Sequence, residues 1–372
     1  MKVLPALFAL LLAAPCRPQP REGEAAYFES EEKFLSGFDI NDPENGFSLL
    51  GGLEGSSMIL KVKGPSGRTI GVFKPTSGNT LYEAEIAAYR LCRRLRLPVC
   101  APTVEKTLDS ASLDRFSILL EEVEFEGKDD PKFAAHFRMK ERFRQAMMDR
   151  VSERTTMPGA FKTWIEPLIL YQGLGDLASV KKHELYEYLF HDGPPDGGRP
   201  IELRQCTTLY KPEGCYRGEL RVRELLDQFI GMLIVDALIA DNDRFAGGNV
   251  HLFSIDARIA EDEDGWHRLP APSLLMLDNG AGFLGSRTQA LDVIRKDLKI
   301  TRFPRRIFDG LQALKAQAEK DLPGLLAALG IPEDARHAGK HYAPARMFTS
   351  NLEALLGYIR GVEKKHGGAA FY

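Results

Sequence analysis

Residues 222–240 limit the fold more than any other stretch of this chain. The second half of this helical segment is apolar nearly all round, with Phe229, Ile230, Met232, Leu233, Ile234, Val235, Ala237, Leu238 and Ile239 in close succession. A helix that is greasy on every side must be covered on every side, so the chain needs a large helical lobe to enclose it. The segment runs directly into Asp236-Ala-Leu-Ile-Ala-Asp241-Asn242-Asp243-Arg244-Phe-Ala-Gly-Gly-Asn249, a loop dense in oxygen ligands. A strand-like run at 250–255, an acidic loop at 261–264 and a second strand at 274–277 follow, and the second strand ends in Leu277-Asp278-Asn279-Gly280. Two strands bracketing loops rich in Asp and Asn are a common way to present metal-binding carboxylates. A calcium loop is the nearest alternative, but the EF-hand ligand order and its terminal bidentate Glu are missing. Asp241 and Asn242 also suit a capping or turn role, since Asp-Asn pairs commonly make turns.

The first third of the chain has a different texture. Two β-patterned runs at 57–63 and 69–74 flank Gly64-Pro65-Ser66-Gly67, which predicts a hairpin. A helical pattern spans 81–95, and an apolar run at 116–123 reads as a strand that closes a small lobe over residues 47–123. Residues 19–46 are polar and punctuated by Pro and Gly, and are expected to form an extension without a core. Residues 124–372 are assigned to the larger lobe. The expected fold class is therefore α+β, two-lobed, with a small β-rich lobe and a mainly helical one.

Lys74 closes the run Gly71-Val72-Phe73 and is followed by Pro75. On the helix at 81–95 the apolar stripe is Leu81, Ala84, Ala88, Leu91, Cys92 and Leu95, and helical spacing sets Glu85 at its edge. Glu83 instead aligns with Arg90 and Arg94 on the polar side. A carboxylate facing a core is costly unless paired, and a lysine from the neighbouring strand is the natural partner; the competing reading is a surface glutamate at the border. Upstream, Gly51-Gly52-Leu53-Glu54-Gly55-Ser56 precedes the hairpin, so that Gly52, Gly55 and Ser56 are candidates to lay backbone amides over phosphates. The run is neither a Walker motif nor a full glycine loop of protein kinases.

A formal net charge of -3 gives no global reason to expect nucleic acid or an anionic membrane as partner. The apolar run at 3–14, ending in Ala13-Ala14-Pro15-Cys16, has the layout of a secretory signal peptide assigned to residues 1–18, too short for a transmembrane anchor. Export to the periplasm, the secretory lumen or the exterior is expected, and Pro15 argues against a lipoprotein anchor. Cys92, Cys100, Cys206 and Cys215 then remain, an even number in an oxidising compartment. Spacing favours Cys92 with Cys100 and Cys206 with Cys215, although three connectivities are open and Cys92, on an apolar helix face, also suits a buried free thiol.

Gly71-Val-Phe-Lys74-Pro75, Ala84-Glu85-Ile-Ala-Ala-Tyr-Arg-Leu91, the stretch 236–244 and Leu277-Asp278-Asn279-Gly280 together resemble the secretory-pathway kinases known as family with sequence similarity twenty, with four-jointed. More distantly the pattern is similar to HipA-type kinases and type II phosphatidylinositol 4-kinases. The resemblance covers about residues 50–100 and 225–285. It implies an atypical protein-kinase-like fold, ATP as co-substrate and Mn²⁺ or Mg²⁺ as cofactor. It further implies that Lys74 binds the nucleotide phosphates, that Glu85 pairs with it and reaches the metal, that Asp243 is the catalytic base and that Asp278 binds metal. The chain departs from the pattern in three places: Gly248 stands where the loop ligand is expected, one residue before Asn249, Phe245 replaces a histidine, and Asp241 stands where Asn is usual.

The function expected from this reading is an exported ATP-dependent kinase for a hydroxyl on a protein Ser/Thr or a glycan. The alternatives are a nucleotide-binding pseudokinase that acts as a scaffold, and a nucleotidyl-transferring enzyme on the same fold. Gly173-Leu-Gly175-Asp-Leu-Ala178 mimics a dinucleotide fingerprint, but no βαβ alternation surrounds it, and a helix-initiating turn is the better reading.

Overall fold

The hairpin signal at the start of the chain produces the first sheet of the computed structural model, which describes residues 24–50, 57–121, 156–195, 198–207, 213–245, 249–255, 259–285 and 289–372, with positions 137, 141 and 144 besides. Strands β1 (Gly46–Leu49), β2 (Leu60–Lys63), β3 (Thr69–Pro75), β4 (Thr103–Leu108) and β5 (Met157–Thr163) make one antiparallel sheet in the order β1-β2-β3-β5-β4. Period-2 alternation sends Val62, Phe73, Val104 and Phe161 to one face, where they join Leu35, Ile40, Leu113 and Phe116 in a single core.

Two expectations are corrected here. The segment expected to be an extension without a core contains helix α1 (Glu24–Gly37), and Phe28, Leu35 and Ile40 are buried. The signal is weak because the apolar residues of α1 do not share one face: Phe28 and Leu35 are buried while Phe34 is exposed. The run read as a strand at 116–123 is instead part of helix α3 (Ser110–Glu121), of which 122 and 123 lie outside the described residues. Asp109 starts this helix by accepting the Ser112 N–H at 2.8 Å, and Leu113 and Phe116, three apart, share its buried face. A short apolar run does not distinguish the two periods. The fifth strand, β5, comes from a region for which the sequence reading has no placement, hidden by its Pro158 and Gly159. That glycine is needed: a Cβ there would lie 2.5 Å from Phe73 Cζ, and one at Gly71 would lie 2.3 Å from the Lys162 carbonyl, so β3 and β5 sit tightly together.

Helix α2 (Tyr82–Leu95) lies under this sheet and joins it to the rest. Beyond β5 come β6 (Ile169–Leu170), the hairpin β7 (Pro200–Thr207) and β8 (Gly214–Arg221), and helix α4 (Val222–Ile239). The strand-like runs flanking the acidic loop form β9 (Val250–Ser254) and β12 (Pro272–Met276), paired antiparallel with Val250 opposite Met276, while β10 (Ala260–Glu261) and β11 (His267–Arg268) extend the β7–β8 sheet. Helix α5 (Arg305–Leu329), the hairpin β13 (Ala335–His337) and β14 (Lys340–Tyr342), and helix α6 (Pro344–His366) complete the larger lobe. As its composition requires, α4 is buried almost throughout, packed against α2 and α6.

The favoured cysteine pairing is observed: Cys92 is bonded to Cys100, and Cys206 to Cys215, which face each other across β7 and β8. Cys92 is thus not a free thiol. No described helix is long and apolar enough to cross a membrane. The leader at 1–18 lies outside the described residues.

Candidate active site

Alternation along β3 decides where Lys74 goes. Phe73 faces the small-lobe core, so Lys74 takes the opposite face, towards α2, where it is 3% exposed. In β5, Ala160 stands opposite Lys74 and Lys162 opposite Val72, so Lys162 emerges on the same face. Glu85 rises from α2 between them and is fully buried. Its Oε1 accepts from Lys74 Nζ at 2.5 Å, its Oε2 accepts from Lys162 Nζ at 2.7 Å and from Asn279 Nδ2 at 3.3 Å. An interior carboxylate is tolerable only when both oxygens are satisfied in this way.

Lys74 also donates to Asp278 Oδ1 at 2.6 Å. Asp278 follows β12 in the left-handed region, φ 55° and ψ 57°, a conformation that Asp accepts more readily than most side chains. The turn is pressed on the start of α2: the Leu81 N–H donates to the Gly280 carbonyl at 2.8 Å, and a Cβ at position 280 would lie 2.4 Å from Thr80 Cγ2. Burial pushes the Lys74 ammonium down, but the charges of Asp278 and Glu85 outweigh it and hold its pKa above the ordinary lysine value. Burial raises the Glu85 carboxyl, yet the two lysines bring it well below the usual carboxylate range. For Lys162 burial wins, despite Glu85 and with help from the charge of Lys74, and its pKa is lowered.

The second half of the site hangs on Arg244. Helix α4 is capped by Ala240, in the left-handed region at φ 56°, which turns the chain off the helix while Asp241 stays buried. Arg244 then reaches back and grips Asp236 with two bonds, Nε to Oδ2 at 3.1 Å and Nη2 to Oδ1 at 2.9 Å. The same guanidinium donates to the carbonyls of Asn249 at 2.9 Å and Leu277 at 2.6 Å and to Asn279 Oδ1 at 2.6 Å. One side chain thereby ties the end of α4, the start of β9 and the end of β12 into one unit. Asp243, half-buried, is oriented by its N–H donating to Asp241 Oδ1 at 2.9 Å and by its carbonyl accepting from Asn249 Nδ2 at 2.9 Å. Burial, then the charge of Asp278, raises the Asp243 pKa. Burial, then Asp236, pushes the Asp241 carboxyl up to about 7.

No family model matches the chain, and no curated protein matches it in sequence. In three dimensions it is similar to the crystal structure of the Golgi casein kinase with Mn/ADP bound, at a TM-score of 0.53 and 15% identity over 92% of this chain and 77% of that one. A second crystal structure of the Golgi casein kinase matches at 0.51 and 15% identity, covering 92% of this chain and 78% of that one. The chain has the atypical kinase fold. Small and large lobes are those of that fold, with Lys74, Glu85 and Lys162 on the small-lobe side and Asp243, Asn249 and Asp278 on the other.

Of the residues singled out from the sequence, Lys74, Glu85 and Asp278 are in direct contact, and Asp243 and Asn249 are joined to them through Arg244 and Asn279. Gly52, Gly55 and Ser56 lie outside the described residues. Glu83 is half-buried at the edge of α2 and accepts from the Thr76 hydroxyl at 3.3 Å, while Arg90 donates to the carbonyls of Ala327 and Ala328. The dinucleotide-like run is a helix start, with Asp176 accepting the N–H groups of Ala178 and Ser179 at 2.8 Å each. Sequence reasoning missed Lys162, Asn279 and the role of Arg244. The only trace of Lys162 was a charge ending an otherwise uncharged run, Met157–Phe161.

Among the described residues no three His, Cys, Asp or Glu side chains gather as a metal site of their own. The donors at hand are oxygens, from Asp278 and the Asn249 amide, and Asp241 Oδ2 and Asn242 Oδ1 are buried nearby with no hydrogen-bond partner among the described residues. Hard oxygen donors in small number fit Mg²⁺ or Mn²⁺, ions that complete their shell with water and substrate phosphate.

Proposed function

We propose that this protein is an exported phosphotransferase that moves the γ-phosphoryl group of ATP to a hydroxyl on a protein or glycan. The observation that carries the reading is Lys74, shared between the buried Glu85 and the accessible Asp278. Phosphoryl transfer demands little covalent help; it needs a held cation on the phosphates, a metal anchored by oxygen, and a group that orients the acceptor. Lys74 exchanges Asp278 for phosphate oxygens when nucleotide enters, while Glu85 keeps the ammonium in place. Asp243 accepts the proton of the acceptor hydroxyl, a task aided by a carboxylate more basic than usual.

Asp278 and Asn249 would hold the divalent ion, which when bound supplies neutralisation of the charge on the phosphate oxygens. Glu85 has both oxygens on lysines, so its service is to pair Lys74 rather than to coordinate. The Golgi casein kinase that shares the fold carries Mn and ADP, in support of this assignment. Two disulfides and the apolar leader support export.

The test is incubation of the purified protein with γ-labelled and α-labelled ATP, divalent metal, and protein and glycan acceptors. Label from the γ-position on the product is the expected result. Label from the α-position on product overturns kinase activity in favour of nucleotidyl transfer, and no transfer of either label overturns catalysis altogether.

A further inference from the structure

Glu85 is held by two lysines where pairing requires one. Lys74 and Lys162 are both almost fully buried, at 3% and 4% exposure, and each takes a different oxygen of the same carboxylate. Neither can drift from the other, because the close seating of β3 on β5 at Gly71 and Gly159 fixes the register that presents both. The charges along Asp278, Lys74, Glu85 and Lys162 alternate in sign and sum to zero. Without Lys162 the remaining three would form a net anion, with Lys74 clamped between two carboxylates, at the place where a triphosphate must dock. Burying a second ammonium costs free energy that a structural pair alone would not require.

We infer that Lys162 is a positioning residue for nucleotide binding, which neutralises Glu85 through Oε2 and so leaves Lys74, still anchored on Glu85, free to turn from Asp278 to the phosphates. Lys162 does this without contact to the nucleotide. The inference rests on the phosphotransferase reading and adds to it a second cation, drawn from a strand that carries no recognisable motif.

Affinity for a fluorescent ADP analogue with Mn²⁺, measured on the full chain, tests it. Lys162→Met is expected to weaken binding by about tenfold or more, the loss typical of a charge-assisted contact, and Lys162→Arg to restore it. In Lys162→Met combined with Glu85→Gln there is no carboxylate charge left to balance, so affinity should return close to that of Glu85→Gln alone. That comparison, which removes one charge of each sign, also serves if Lys162→Met by itself fails to fold in a urea titration. Unchanged affinity in Lys162→Met overturns the inference. So does a double variant much weaker than Glu85→Gln, which would mean that Lys162 touches the phosphates itself. Failure of the wild-type protein to bind the analogue would overturn both the inference and the reading beneath it; binding by wild type with no effect at Lys162 overturns the inference alone.

Discussion

Glu83 and Glu85 are chemically identical, two residues apart on α2, and about 200° apart around its axis, since each residue advances roughly 100°. Truncating each to Ala therefore separates position from composition. Glu85→Ala removes the partner of two buried ammonium groups. Lys74 retains Asp278, but Lys162 has no other ion-pair partner among the described residues. Breaking a buried pair from one side costs about 3–5 kcal/mol, and deprotonation of Lys162, whose pKa is already depressed by burial, holds the cost towards the lower figure. Against a typical domain stability of about 5–15 kcal/mol, a loss near 3 kcal/mol leaves the variant folded. At the half-buried edge of α2, the 3.3 Å bond from the Thr76 hydroxyl that Glu83→Ala removes contributes about 0.5–1 kcal/mol. In a γ-labelled ATP assay, Glu85→Ala is expected to lose about 10²-fold or more in transfer, because Lys74 is then held only by Asp278, the partner it must leave for the phosphates, and Glu83→Ala less than about twofold. Urea titrations give the stability of each variant. Equal losses, or a greater loss at Glu83, would refute the placement of Glu85 as the anchor of Lys74.

Asp278→Asn should weaken metal-dependent nucleotide binding by about tenfold or more, whereas Asp243→Asn should leave binding nearly intact and abolish turnover; the opposite pattern in paired binding and turnover assays means the roles are exchanged. Mass spectrometry of the purified chain after alkylation without reductant should show Cys92, Cys100, Cys206 and Cys215 unmodified, and replacing Cys206 and Cys215 together by Ser should cost about 2–3 kcal/mol, as expected for so short a loop. His251 is held neutral by burial, which lowers its pKa to about 4 from an ordinary value of 6.5. A depressed histidine pKa contributes stability that is present above pH 6.5 and is lost as pH falls towards 4, at up to about 1.4 kcal/mol per pH unit. Between pH 7 and pH 5 His251→Leu should therefore gain on the wild-type protein in urea titrations, and parallel behaviour of the two would remove His251 as the source.

Local pattern was enough to determine several parts of this protein. The hairpin β2–β3, helix α2, the central burial of α4 and the strands β9 and β12 follow from periodicity and turn chemistry, which act over a few residues. The inward direction of Glu85 follows from the same arithmetic, because helical phase is a local property. Short spacing favoured both disulfides for a similar reason. The tertiary structure alone decided the rest. Helix α3 carries an apolar run too short to reveal its period, and Phe28 and Leu35 of α1 are buried by what packs on them while the rest of that helix stays largely exposed. Lys162 comes from a strand with Pro158 and Gly159, residues that argue against a strand until the aromatic ring of Phe73 and the backbone of β3 are seen to need the space. Arg244 looks like one more charge in a polar loop, yet it holds Asp236, Asn279 and two carbonyls, partners up to 35 residues away. Period and turn signals are properties of neighbours in the chain; which buried charge meets which partner depends on neighbours in space, and those exist only once the lobes have closed.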